Sequence, residues 1–158
     1  MPYFDVLNQN LGMDIQAITF LDNPSFIQKE RVTRFILDNS CEQDLSYEIV
    51  WRSVEYALSL SKNQGGFILL TREDGDITGA LVINRTSMED YIPENILIHL
   101  VIGAHVNKNE TGLRLLRMAI ELTKGKLAVR LNKDHPDISL YEVMGFRERY
   151  IEYQLQGK

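Results

Sequence analysis

The sequence predicts one α/β or α+β domain built around a mixed sheet. Three observations carry this expectation. Apolar residues recur at helical spacing in some segments and in short blocks in others. Asp74-Gly75 separates two such blocks, which is the chemistry of a tight hairpin turn. A strand–helix–strand unit then runs from Ile96 to Leu131. No repeat, low-complexity tract or linker interrupts the 158 residues, so a single domain over 1–158 is expected.

The elements follow in order. Ile15–Phe20 reads as a strand stopped by Asp22-Asn23-Pro24. Asp22 or Asn23 is suited to cap a helix with Pro24 at its first position, running to about Leu37. Leu45–Leu60 carries the stripe Leu45, Ile49, Ser53, Tyr56, Leu60 and reads as a longer helix, ended by Gly65-Gly66. Phe67–Thr71 and Ile77–Asn84 are the arms of the hairpin, and Arg85–Asn95 is a polar connection. Ile96–Val106 is a strand too apolar for a solvated face. Gly112 opens a helix to Thr123, Lys126–Leu131 is a strand, and Pro136–Met144 is a short helix ended by Gly145. Ile151, Tyr153 and Leu155 alternate with polar residues, predicting one or two final strands between Arg147 and Leu155.

Bulk properties narrow the function. The net charge of −5 argues against a general nucleic-acid binder. Cys41 is the only cysteine, which fits a reducing, cytoplasmic location. Met1–Asp5 has no basic leader, and Ile96–Val106 is too short to cross a membrane, so a soluble protein is expected.

The end of the chain holds the most specific signal. Leu140-Tyr141-Glu142-Val143-Met144-Gly145-Phe146 follows the strand–helix–strand unit. Together these resemble the cofactor half of the GNAT superfamily of acyl-CoA-dependent N-acetyltransferases, most clearly over residues 96–155. The resemblance implies a mostly antiparallel central sheet with a splayed parallel strand pair, and helices on both faces. It implies acetyl-CoA as cosubstrate, with no metal, and a small-molecule or peptide amine as acceptor. Backbone groups of Ile102 and Ala104 would pair with the pantetheine arm, with Gly103 at a bulge or close approach. The pyrophosphate would lie over Lys108, Asn109, Glu110, Thr111, Gly112 and Leu113. His135 falls where the family has an asparagine near the pantetheine. Tyr141 matches the general acid that protonates the departing thiolate.

Two positions of the turn depart from the family pattern. Asn107 replaces a basic residue, and Glu110 replaces the first glycine. A carboxylate about 5 Å from a phosphate charge costs roughly 3 kcal/mol at an effective dielectric of 20, and under about 1 kcal/mol if well solvated. Lys108, Arg114 and Arg117 lie close enough in sequence to offset it. Ile138 stands at a usual alanine and would narrow the cofactor space.

Other chemistries are weaker. His99 and His105 share a strand face, but no third ligand has metal-site spacing. His99 is the better candidate for a general base or for orienting a water, with Glu94 as its rival. Neither a P-loop nor a Gly-x-Ser-x-Gly elbow is present. Two functions therefore stand: an N-acetyltransferase using Tyr141, or a non-catalytic GNAT-fold module that binds an acyl-CoA, another ligand or a protein. A terminal strand left exposed would be able to pair across a homodimer.

Overall fold

The computed structural model describes residues 15–157 apart from 89 and 91. The Met1–Asp5 segment lies outside the described residues. Five strands form one sheet in the order β1-β2-β3-β4-β5. They are β1 (Ile15–Ile18), β2 (Gly66–Glu73), β3 (Asp76–Arg85), β4 (Asn95–Ile102) and β5 (Leu127–Val129). The helices are α1 (Phe26–Asn39), α2 (Tyr47–Ala57), α3 (Lys108–Leu122) and α4 (Ile138–Val143). β1 to β4 pair antiparallel, and β4 pairs with β5 in parallel. The mixed sheet and its terminal parallel pair are those the sequence implied.

The sheet is apolar on both faces because each is covered. Val32, Ile36, Val50 and Val54 from α1 and α2 meet Ile68, Leu70, Ala80 and Val82 on one face. Leu115, Leu116, Met118 and Ala119 from α3 meet Leu69, Leu81, Ile83 and Leu97 on the other, with Tyr141 of α4 beside them. Asp74 and Gly75 both take positive φ, 51° and 87°, as a two-residue hairpin turn requires.

Several predicted boundaries are corrected. Asp22 and Asn23 belong to a separate turn of 3-10 helix at Phe20–Asp22, with Asn23 left-handed at its end. The cap of α1 is Ser25, whose hydroxyl accepts the Gln28 N–H while Gln28 returns a bond to the Ser25 N–H. The second helix is shorter than its apolar stripe, from the Ser46 cap to Ala57. Gly65 and Gly66 lie beyond it and lead into β2. β4 stops at Ile102, so Ala104, His105 and Val106 lie in a turn. α3 begins at Lys108 rather than Gly112, because Asn107 caps it.

The expected terminal strands do not form. Residues 147–157 are exposed and carry no regular structure, although the Arg130 guanidinium meets the Glu152 carboxylate. The alternation of Ile151, Tyr153 and Leu155 describes what this segment can pair with. It does not supply a partner, and β5 offers an edge of only three residues.

Candidate active site

The central feature is an interruption between two parallel strands. β4 and β5 pair only at Asn95–Leu127, Ile96–Ala128 and Leu97–Val129. On its other side β4 shifts register against β3, from Ile83–Leu97 to Val82–His99, leaving Ile98 as a bulge. A bulge bends a strand and increases its twist. From Ile98 to Ile102 the β4 edge toward β5 has no ladder partner. The bulge expected near Gly103 lies instead five residues earlier, at Ile98. Gly103 instead donates its N–H to the Thr78 carbonyl at 2.8 Å. A Cβ there would stand 3.3 Å from the Thr78 carbonyl oxygen, so glycine suits this close approach to β3.

Tyr141 belongs to the core cluster on the α3 face of the sheet, against which Leu100 and Ile102 of β4 also pack. It is 4 % exposed, and its ring meets Phe146 edge-on at 5.5 Å between centroids. The Phe146 N–H donates to the Tyr141 carbonyl at 3.1 Å, which fixes the turn after α4. The Tyr141 hydroxyl makes no hydrogen bond among the described residues and keeps some access to solvent. Burial pushes the phenol well above its ordinary range, and the charges of Asp137, Glu42 and Cys41 push the same way. The group is protonated at any physiological pH.

Gly112 is what lets α4 sit so close. It is buried in the second turn of α3, and a Cβ there would meet Leu140 Cδ2 at 3.1 Å. Gly112 is thus a packing position between helices rather than a helix start. The true start, at Lys108, is partly satisfied internally. Asn107 Oδ1 accepts the Glu110 N–H at 3.0 Å, and the Asn107 carbonyl accepts the Thr111 N–H at 3.0 Å. Thr111 is buried and Leu113 half-buried. Of the turn residues expected to hold phosphate, Lys108 and Asn109 present N–H groups with no intrahelical acceptor.

The charges around this helix start are largely paired. Glu110 is turned outward onto Arg114 at 2.8 Å, so it does not fill the cleft. Lys108 Nζ reaches Asp137 at 2.9 Å, tying the start of α3 to the start of α4. His135 accepts the Asp137 N–H on Nδ1 at 3.1 Å, and its Nε2 faces Cys41 Sγ at 3.9 Å. Nδ1 as acceptor places the ring proton on Nε2 in the neutral form. Ile138 opens α4 half-buried.

His99 is buried on the opposite face of β4, just past the bulge. Ser53 Oγ donates to the Val50 carbonyl at 2.7 Å, so it accepts from His99 Nε2 at 3.0 Å. The proton therefore sits on Nε2, and Nδ1 carries the lone pair. Burial pulls the imidazole down to about 4. Its rival Glu94 is engaged in a backbone bond. It sits before β4 and accepts the Lys126 N–H at 2.7 Å, stapling the start of β5. Backbone N–H groups, its own and that of Lys126, hold its carboxylate below the usual range. His105 lies in the turn after β4 and is not brought together with His99.

Sequence reasoning missed three of these parts. Asn107 as cap was legible in Asn107-x-x-Glu110. Ser53 and Cys41 had no local signal, since each acts through a residue far along the chain.

The fold thus combines a parallel pair that stops after three residues, a bulge in β4, and a buried tyrosine on the face covered by α3. The chain has the GNAT fold. Solved structures align with it over nearly their whole length. A probable acetyltransferase superposes with a TM-score of 0.67 at 17 % identity, covering 92 % of this chain and 99 % of that one. An aminoglycoside antibiotic 6'-N-acetyltransferase from Acinetobacter haemolyticus gives 0.65 at 14 % identity, with the same coverage. A transcriptional regulator from Bacillus halodurans gives 0.61 at 16 % identity, also covering 92 % and 99 %. No family model and no curated protein matches the sequence. At these identities the likeness concerns the fold.

Proposed function

We propose that this protein is an N-acetyltransferase that moves the acetyl group of acetyl-CoA to a primary amine within a ternary complex. The observation that carries the reading is the unpaired β4 edge, Ile98 to Ile102, whose Leu100 and Ile102 pack against the cluster that holds Tyr141. An extended pantetheine arm suits that edge, because its amides can bond to backbone groups as an added strand does. Lys108 and Asn109 at the start of α3, together with Arg117, would receive the phosphates. The amine nitrogen attacks the thioester carbonyl carbon, the C–S bond breaks, and Tyr141 gives its proton to the departing sulfur. The attacking nitrogen sheds one proton, which returns through solvent to the Tyr141 phenolate and regenerates the phenol. His99 stays neutral at working pH, and its Nδ1 lone pair would orient a water on the acceptor side of β4.

A second reading, a GNAT-fold module that binds a ligand without turnover, is favoured by one observation. Asn107 occupies the Glu110 N–H that a phosphate would otherwise use. The two readings part in one experiment. Thermal shift with acetyl-CoA reports binding to the folded protein, and acetyl transfer to an amine panel reports chemistry. Turnover abolished in Tyr141→Phe with the thermal shift retained supports the enzyme. Binding with no turnover of any amine supports the module, and absence of binding at millimolar acetyl-CoA removes the first reading.

A further inference from the structure

Ser53 stands in the middle of α2, where the helix itself does not call for a serine. Val50, Val54 and Ala57, which share its buried face, are apolar and fully buried. A serine among them competes with the helix backbone, as its Oγ bond to the Val50 carbonyl at 2.7 Å shows. What its hydroxyl adds is one contact 46 residues along the chain, with Nε2 of His99 at 3.0 Å. Asn84 of β3 holds the same turn of helix, its amide donating to the Ser53 carbonyl at 3.2 Å. Ser53 is therefore fixed against the sheet from two strands, β3 and β4.

The His99 ring is gripped at one end only. The Ser53 hydroxyl proton is committed to Val50, so toward the ring Oγ only accepts, and Nε2 must carry the ring proton. Nδ1 makes no hydrogen bond among the described residues and keeps some access to solvent. A histidine buried for packing alone would need a partner on both nitrogens, because an unpaired buried polar atom is costly. An apolar residue would fill the space with neither. The place of the ring points the same way. His99 is 5 % exposed, directly follows the Ile98 bulge, and lies in the stretch of β4 whose edge has no ladder partner.

We propose that Ser53 is a positioning residue, which locks His99 in the form whose Nδ1 lone pair holds a water on the acceptor side of β4. The proton shed by the attacking nitrogen passes to that water and on to solvent, so the ring stays neutral and the Ser53 hydroxyl keeps its own proton. The inference rests on the acetyl-transfer reading for the reaction it serves, and on the hydrogen-bond geometry alone for the ring form. Without the hydroxyl nothing distinguishes the two ring nitrogens. The ring then turns, or its proton moves, until both forms are present.

The test is NMR of the full chain with labelled histidine ring nitrogens, His99 being identified among the three histidines by its loss in His99→Gln. Near neutral pH the wild-type ring should be protonated at Nε2 and bare at Nδ1. Ser53→Ala should show both forms, and Ser53→Thr, which keeps a hydroxyl, only the wild-type one. With an amine that the wild type acetylates, kcat should fall about tenfold in Ser53→Ala, with the KM for acetyl-CoA held within about twofold, and should return in Ser53→Thr. A wild-type ring bare at Nε2, or a single unchanged form in Ser53→Ala, overturns the proposal. Mixed ring forms with an unchanged kcat overturn it too, since the ring form would then not serve the reaction. If the wild type acetylates no amine, the acetyl-transfer reading falls, while the ring spectra still decide whether Ser53 sets the form of His99.

Discussion

His99→Gln should flatten the dependence of stability on pH. The wild-type imidazole is buried, with its pKa pulled from 6.5 to about 4. Above about pH 6.5 neither the folded nor the unfolded chain protonates it. Below about pH 4 both do. Between these limits the unfolded chain binds the proton and the folded chain does not, so stability falls as pH falls through that window. Each decade of difference is worth about 1.4 kcal/mol, which makes the loss about 3 kcal/mol. Glutamine keeps a donor for Ser53 Oγ while removing the titration. Urea unfolding measured from pH 7 to pH 4 gives the contrast directly. With a urea slope of about 1–3 kcal/mol/M, the wild-type midpoint should drop by about 1–3 M more than that of the variant. Carboxylates titrate in the same range in both proteins, so the difference between the two curves isolates the ring. Parallel curves would refute a buried, neutral His99, and with it the lone pair assigned to Nδ1.

The remaining predictions concern the cleft. Glu110→Gln should tighten acetyl-CoA binding by about two- to tenfold in calorimetry, because it removes a like charge and frees Arg114 from its 2.8 Å pairing. An unchanged affinity would show that Glu110 and Arg114 stand clear of the phosphates. Gly112→Ala should leave stability within about 1 kcal/mol of wild type in urea unfolding, since the helix gains about 1 kcal/mol from alanine while the Leu140 methyl yields from a 3.1 Å contact, and a larger loss would show that Leu140 cannot move. Gly112→Leu should displace α4 and lower kcat with it; full activity in that variant would detach Tyr141 from the chemistry. Gly66→Ala should be the most damaging glycine change, with a Cβ built 1.9 Å from the Ile83 carbonyl at a φ of +147°, and a melting temperature near wild type would contradict this backbone geometry.

The elements were legible because their signals are local. Asp74-Gly75 fixed the hairpin, and the Leu140–Phe146 run fixed α4 and its tyrosine. Boundaries failed where a cap outranked hydrophobic spacing. Ser25, Ser46 and Asn107 each set a helix start that the apolar stripe did not mark. The last segment failed for a different reason, because alternation at Ile151, Tyr153 and Leu155 is a property of one strand and pairing is a property of two. In the site, Tyr141 and His99 could be nominated from type and position. Their partners could not, since Ser53 lies 46 residues from His99 and Cys41 lies 94 from His135.

The altered turn is best understood through what replaced its missing parts. A glycine at Glu110 would let a phosphate approach the backbone, and Asn107 would be a cation. Here Asn107 caps the helix with its own side chain, and Glu110 turns out onto Arg114. Both residues improve α3 as a helix, through the cap and through an acid in the first turn. The same two changes withdraw one N–H and one cation from any phosphate there. Lys108 is withdrawn as well, held by Asp137 at 2.9 Å. That last bond is the reversible one. A pyrophosphate at the helix start would compete with Asp137 for Lys108, and Asp137 once released would stand as a free carboxylate one turn before Tyr141. Cofactor binding would then strengthen attraction for a cationic acceptor, giving ordered addition with acetyl-CoA first. Asp137→Asn should remove that order, which product-inhibition patterns would read, while equal patterns in the two proteins would sever the link between the two sites.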